Sequence, residues 1–431
     1  MRARLLLSAL VLLALTSACH GTDPGGEPDG AVTPPLSDGA SGCPAGKAGA
    51  GCILALYDRG CDALPELRAE LDARTGLGPL WDQGRALFRT AAPAHVAGEF
   101  NGWSTDALAT SAWCGSDLVL AIADVASGYW PYKLFDGQDW SLDPTNRAFA
   151  YDDFSGNPDG RNSLLATPDS GRGYVVSLDR ACSQTLGNCR DVTAYLPPGY
   201  DALENADRTY PVLFMHDGQN LWDDHDCCFG HTGWEVNITL DAEIAAGHVR
   251  PVVVIGAAST IARNSEYGLS QPAMTAFMQF QVDELQPHAL SQVRWDGERV
   301  AVAGSSLGGL VAMQLALRFP DTYASGASLS GAFWPGLDDG TALLYQLPQL
   351  GKQAVAIYVD SGGDPTQNTD GAQDTIDVRD RMASMGWQRA DSPACTPGPD
   401  ALCYHLEPGA THDELAWKVR AWRFLRFLFP G

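Results

Sequence analysis

The six residues Gly304-Ser305-Ser306-Leu307-Gly308-Gly309 constrain this chain more than any other feature of it. Before them, Arg299–Ala303 is a short, mostly apolar run that reads as a buried strand. After them, Leu307–Arg318 reads as a helix stopped at Pro320. A strand that enters a helix through one sharp residue crowds its own backbone, and flanking glycines relieve that crowding. The residue at the apex, Ser306, is lifted past the end of a sheet to a helix N-terminus. Free N–H groups and a positive partial charge there favour developing negative charge.

The surrounding residues, 174–431, keep the same rhythm. Strand candidates are Tyr174–Leu178, Val192–Leu196, Pro211–Met215, Pro251–Gly256, Arg299–Ala303, Ala327–Leu329, Ala354–Val359 and Tyr404–Leu406. Several are continuous apolar or β-branched runs, as strands covered on both faces require. Helical stretches are Met274–Val293, Leu307–Arg318 and Glu414–Phe429. Strands alternating with helices predict an α/β domain with a mostly parallel central sheet, and a serine on a strand–turn–helix elbow predicts the α/β-hydrolase form of it.

A serine hydroxyl needs a base within hydrogen-bond reach to act as a nucleophile. Of nine histidines, His412 lies in Pro408–Glu414, after a strand and before the final helix, where chain order places the base. His216, His225 and His231 are less well placed. The acid is expected between Ser306 and His412, at the end of the strand Ala354–Val359. Asp364 is the expected residue, with Asp360, Asp370 and Asp374 as alternatives. Its task is to orient the imidazole. Backbone N–H donors for an oxyanion are expected from Leu307, next to the serine, and from Gln219, in the loop after Pro211–Met215. Trp222, Trp234, Tyr267 and Trp334 are candidates for lining a substrate cleft.

Tyr195–Tyr200, Met215–Leu221, Gly233-Trp234, Arg263 with Glu266-Tyr267, Gly304–Gly309, and His412 with Glu414 and Trp417 together resemble the esterase D-like group, which includes enterochelin esterases, feruloyl esterases and mycolyltransferases. The resemblance spans residues 190–431. It implies a Ser–acid–His mechanism through an acyl-enzyme, with Asp217-Gly218-Gln219 as the oxyanion loop. The family's acid commonly lies three positions after the glycine of an Asp-x-Gly turn. Counted from Gly362 that position is Pro365, so Asp364 fits a turn one residue shorter.

Upstream, residues 80–168 alternate short apolar runs with turns, the pattern of a small β-sandwich. Val96–Trp103, with its Phe100-Asn101-Gly102-Trp103 turn, resembles early-set, glycogen-binding-like modules of immunoglobulin-like form, which makes Trp103, Trp130 and Trp140 candidate sugar-stacking residues. Residues 43–79 hold one helical pattern, Leu64–Leu71, in a small cysteine-containing cap. Residues 1–18 carry Arg2 and Arg4, the apolar run Leu5–Leu15 and small residues before Cys19, as a lipoprotein signal peptide does. Residues 19–42 read as a flexible tether. Cys19 is then the expected lipidation site and membrane anchor.

Without Cys19, ten of the eleven cysteines remain, an even number that suits disulfides in an exported chain. Cys182/Cys189 and Cys395/Cys403 are spaced to close short loops. Cys43, Cys52, Cys61 and Cys114 are expected to pair among themselves. The net charge of −24 argues against a nucleic-acid partner. Hard ligands cluster between Asp217 and His231, but no spacing there matches a metal site. Asn157–Gly160 lacks the terminal Glu of a calcium loop. No metal or cofactor is expected. The expected partner is a small-molecule or glycan-linked ester. An acyltransferase using the same triad and a glycan-binding lipoprotein with an inactive hydrolase body are the alternatives. Hydrolysis by water and transfer to an alcohol have the same sequence signature.

Overall fold

The computed structural model describes residues 43, 47–73, 78–152, 160–222 and 232–431. The signal peptide, the tether, Cys19, Cys227, Cys228, His225, His231 and most of the calcium-loop-like stretch lie outside the described residues.

Two helices, α1 (Gly49–Asp58) and α2 (Leu64–Asp72), open the described chain. They bury Ile53, Leu56 and Leu67 against Leu87 and Leu120 of a four-stranded sheet. That sheet has the order β1 (Leu80–Asp82), β2 (Arg85–Thr90), β5 (Val119–Asp124), β4 (Ser111–Ala112). Its other face meets β3 (His95–Gly98), β6 (Tyr129–Phe135) and β9 (Arg161–Ala166) across a core of Phe88, Val96, Tyr132, Leu134 and Leu165. The two sheets thus form a sandwich. β7 (Trp140–Ser141) and β8 (Ala148–Tyr151) complete its second layer, and β8 pairs with β10 (Tyr174–Cys182). That layer is therefore continuous with the large sheet that follows.

The large sheet continues through β11 (Cys189–Leu196), β13 (Val253–Ala257), β12 (Val212–His216), β14 (Val300–Ser305), β15 (Tyr323–Leu329), β16 (Ala356–Ser361), β18 (Ala401–Leu406) and β17 (Gln388–Asp391). Every pair from β13 to β17 is parallel, while β11 is antiparallel to both its neighbours. One antiparallel strand near the start and an exchange of β12 with β13 give the strand order of an α/β hydrolase, as the sequence predicts.

Strand β14 shows why the runs are continuously apolar. Val300 and Val302 enter one core, with Phe277, Leu310 and Val311. Ala301 and Ala303 enter the other, with Trp222, Trp417 and Phe424. On the first face lie α4 (Gln271–Phe280), α5 (Gln286–Leu290), α6 (Leu307–Arg318), α7 (Leu343–Leu350) and α8 (Ala372–Ser384). On the second lie α3 (Val236–Ala245) and α9 (Glu414–Leu428). The helix expected over Met274–Val293 is present as helical backbone from Gln271 to Leu290, with α4 and α5 joined through a wider turn at Gln281–Leu285; Pro287, just after that turn, lacks an N–H for a regular ladder.

Disulfides Cys43–Cys52, Cys61–Cys114, Cys182–Cys189 and Cys395–Cys403 follow the expected pairings. Among the described residues, no helix is long and apolar enough to cross a membrane.

Candidate active site

The elbow follows β14 directly. Ser306 has φ 54° and ψ −126°, a conformation costly for a residue with a side chain. It is held from both sides, by Ser306 N–H to Leu329 O at 3.1 Å and Ala332 N–H to Ser306 O at 2.9 Å. Gly304 and Gly308 meet inside the turn, where a Cβ on Gly304 would lie 2.6 Å from the Gly308 backbone.

His412 comes from the loop between β18 and α9, and Asp413 next to it caps α9 by accepting Ala416 N–H at 2.9 Å. His412 Nδ1 donates to Asp370 Oδ1 at 2.6 Å, and its Nε2 lies 2.9 Å from Ser306 Oγ. A carboxylate only accepts, so the Nδ1 contact places the imidazole proton there and leaves Nε2 to accept the serine proton. The His412 side chain is 39% exposed and that of Asp370 only 2%. The imidazole is open to solvent while the carboxylate it meets is dry.

The carboxylate at the imidazole is thus Asp370, one of the alternatives, and not Asp364. Asp364 is an exposed side chain that accepts from Thr366 N–H, Thr366 Oγ1 and Gln367 Nε2. These bonds, led by the Thr366 hydroxyl, hold its carboxyl below the usual carboxylate range. The chain continues past Asp364 and returns. Asn368 and Asp370 both adopt left-handed backbone, and that reversal carries Asp370 back to His412. The loops carrying Asp370 and His412 also touch through backbone: a Cβ on Gly362 would stand 2.5 Å from Ala410 O. Asp360 is fully buried and pairs with Arg420. Asp374 sits in the first turn of α8, where it accepts from Asn368 Nδ2 at 3.1 Å.

The loop after β12 abuts the elbow, since a Cβ on Gly308 would come within 3.1 Å of Asp217 Oδ2. Asp217 has left-handed backbone and is gripped by Arg263 through Nε at 2.6 Å and Nη2 at 2.7 Å. Burial would raise the Asp217 pKa, but the Arg263 charge and hydrogen bonds outweigh it and hold the carboxyl below its usual range. Gln219 is fixed by its amide, which donates to Ser259 Oγ and accepts Ser259 N–H, each at 3.0 Å. Leu307 opens α6 and Gln219 lies in the short turn Gly218–Asn220, so both backbone N–H groups sit at the start of a helical turn beside the elbow. His216 is buried behind this loop between Tyr267 and Phe277, and burial pushes its pKa down to about 4.

Three of the four aromatic cleft candidates are core residues. Trp222 is fully buried with its indole N–H on Thr193 Oγ1 at 2.8 Å. Trp234 packs on Trp417, and Tyr267 on Phe277. Only Trp334 of the four is half-buried with surface to offer. A cavity of about 350 Å3 lies beside the imidazole, lined by Gly363, Asp364, Asp370, Ala410, Thr411 and His412 among others. A second cavity, of about 380 Å3 around Arg318, Tyr345 and Gln346, includes none of these groups. The one cluster with metal-ligand spacing among the described residues, Cys43, Cys52 and Glu70, has its sulfurs tied in a disulfide.

Comparison with known proteins bears on the same region. The family model described as "Putative esterase" matches residues 183–420. The chain is similar to the iron(III) enterobactin esterase of Dickeya dadantii (strain 3937), 32% identical over 177 residues, 40% of this chain and 36% of the relative. It is also similar to an endo-1,4-beta-xylanase/feruloyl esterase of Xylanibacter ruminicola, 24% identical over 205 residues, 46% of this chain and 25% of the relative. The chain therefore spans about a third and a quarter of the lengths of the curated relatives it matches. Among solved structures, an IroE-like serine hydrolase from Shewanella oneidensis has a TM-score of 0.47 at 19% identity, covering 59% of this chain and 80% of that one.

Proposed function

This chain belongs to the esterase family, and on that premise we propose that it is an extracytoplasmic serine hydrolase of carboxylic esters, with Ser306, His412 and Asp370 as its triad. The observation that carries the reading is the unbroken hydrogen-bond path from Ser306 Oγ through His412 to Asp370, at 2.9 and 2.6 Å, on a sharp strand–helix turn.

The reaction proceeds in two halves. Ser306 Oγ attacks the ester carbonyl carbon as its proton passes to His412 Nε2. The carbonyl oxygen takes the negative charge and accepts hydrogen bonds from the backbone N–H groups of Leu307 and Gln219. The carbon–oxygen bond to the alcohol breaks, and the alkoxide leaves with the proton from Nε2. Water then attacks the acyl-enzyme, giving its proton to Nε2, and Ser306 recovers a proton as the acid departs. Asp370 holds the imidazole in the Nδ1–H form and stabilises its cation in both halves. No step requires a cofactor.

Four disulfides support an oxidising compartment. The Arg2–Cys19 pattern supports export with a lipid on Cys19. The substrate proposed is a small-molecule or glycan-linked ester. The relatives' names put siderophore and feruloyl esters beside short acyl nitrophenyl esters in the panel to be tried. Hydrolysis of at least one panel member, absent in Ser306→Ala, is the expected result. Equal turnover by Ser306→Ala would overturn the reading, and recovery of an intact Met1 N-terminus from membranes would overturn the lipid anchor.

A further inference from the structure

Directly behind Asp370 lies a buried polar cluster with no part in the proton path above. Its hub is Ser330, the residue after β15, 1% exposed. Ser330 Oγ lies 2.6 Å from Asp370 Oδ2, 2.7 Å from Arg420 Nη2 and 3.1 Å from Trp417 Nε1. The guanidinium and indole groups are donors only, so both give hydrogen to the hydroxyl oxygen. The hydroxyl's single proton then has one acceptor, Asp370. Gly362 N–H also donates to Asp370 Oδ2. The second oxygen of Asp370 is therefore fully engaged, and Oδ1 is left to face His412.

The cluster is anchored further inside. Arg420 spans Asp360 through Nη2 at 3.2 Å and Nε at 3.3 Å, and Tyr358 OH donates to Asp360 Oδ2 at 3.0 Å. Ser330 N–H reaches Asp360 Oδ1 at 3.2 Å and Asp360 O at 2.9 Å. Burial works against the Arg420 charge, but Asp360 and then Asp370 outweigh it and keep the guanidinium protonated. Trp417 also meets the His412 ring edge-on at 5.2 Å. Ser330 itself has φ 46°, a left-handed conformation that a serine adopts only against a steric penalty. At such a position a glycine is the residue of least strain. A hydroxyl is there in its place.

We propose that Ser330, locked as a donor by Arg420 and Trp417, is a positioning residue that fixes Asp370 in the orientation the His412 imidazole requires. The inference rests on the triad reading above. Asp360 enters it as the counter-charge of Arg420, which leaves the guanidinium free to polarise the Ser330 hydroxyl toward Asp370.

The test uses the full chain and a short acyl nitrophenyl ester, with Ser330→Gly, Ser330→Ala, Asp370→Asn and Ser330→Gly/Asp370→Asn. Glycine removes the hydroxyl and relieves the backbone, so Ser330→Gly is expected to melt within a few degrees of the parent. Its kcat is expected to fall roughly tenfold or more, the usual effect of losing a hydrogen bond to a charged group, with KM within about twofold. In the Asp370→Asn background the same change is expected to alter kcat by less than about twofold, because its effect runs through Asp370. An unchanged kcat in Ser330→Gly, or an equal fall in both backgrounds, overturns the proposal. Near-parental activity of Asp370→Asn overturns the triad reading, and this inference with it, by a separate measurement. Ser330→Ala, which keeps the strain, is expected to match the glycine variant in kcat and melt lower. A melting loss without a kcat loss in both variants also counts against the proposal.

Discussion

Replacing Arg263 by Met tests whether the proposed oxyanion loop depends on a buried ion pair. Asp217 is 4% exposed, and two N–H groups of Arg263 contact it at 2.6 and 2.7 Å. At an effective dielectric of about 20 and a charge separation of about 4 Å, the lost attraction is about 4 kcal/mol. Breaking a buried pair from one side costs about 3–5 kcal/mol. Arg263 is 22% exposed, so the lower part of that range is expected. The sign of the pH dependence is also fixed. With Arg263 present, the folded Asp217 pKa lies below its unfolded value of 3.8. Its stabilisation is complete above pH 3.8 and is lost as pH falls through the folded value. Without Arg263, burial raises the folded pKa, and the carboxyl costs stability as pH rises above 3.8. Urea unfolding of parent and Arg263→Met is therefore expected to differ most near neutral pH and least in acid. Adding Asp217→Asn is expected to recover most of the loss. Because Asp217 begins the turn that aims Gln219 N–H, kcat at neutral pH is expected to fall by up to about 100-fold. Arg263→Met within about 1 kcal/mol of the parent at neutral pH, with unchanged kcat, would refute this account of the loop.

Three further outcomes are expected. His216 is buried with its pKa pushed down from 6.5 to about 4, so the protein loses stability as pH falls from 6.5 towards 4. The span is worth about 3 kcal/mol, and unfolding of His216→Gln is expected to lack that part of the slope; a variant with the parental slope would exclude His216 as its source. Asp370→Asn is expected to lower kcat by about 1,000-fold or more, and Asp364→Asn to leave it within about twofold; the reverse order would restore Asp364 as the acid. Trp222→Phe, which removes the indole donor to Thr193 Oγ1 and part of the buried ring, is expected to lower the melting temperature and leave KM unchanged, whereas a large KM change would place Trp222 in the substrate path.

What the sequence made legible divides along a physical line. The elbow, α6 and the His412 loop follow from short-range pattern: an apolar run, a glycine-flanked serine, a helix whose bounds, Leu307–Arg318, are those the sequence predicts. The acid does not. Its place depends on how residues 362–371 double back through left-handed positions at Asn368 and Asp370, and counting along the chain from Gly362 reaches Pro365 and Asp364 instead. Trp234 and Tyr267 lie within the family motifs and Trp222 directly follows one, and that proximity in sequence points to a cleft. Their large apolar area is better buried, and the two cores take all three. Helix α8, Ala372–Ser384, is polar along most of its length and carries little apolar period to read. The Ser330–Arg420–Asp360 cluster joins residues from three distant segments, which no local pattern reveals.

The central claim is that Ser306 is the nucleophile. It is tested most directly by reacting the full chain with a fluorophosphonate and locating the adduct by peptide mass spectrometry. The account predicts one phosphonylated residue, Ser306, with no labelling in Ser306→Ala and slow labelling in His412→Ala. Labelling of another serine, or undiminished labelling of Ser306→Ala, would contradict it.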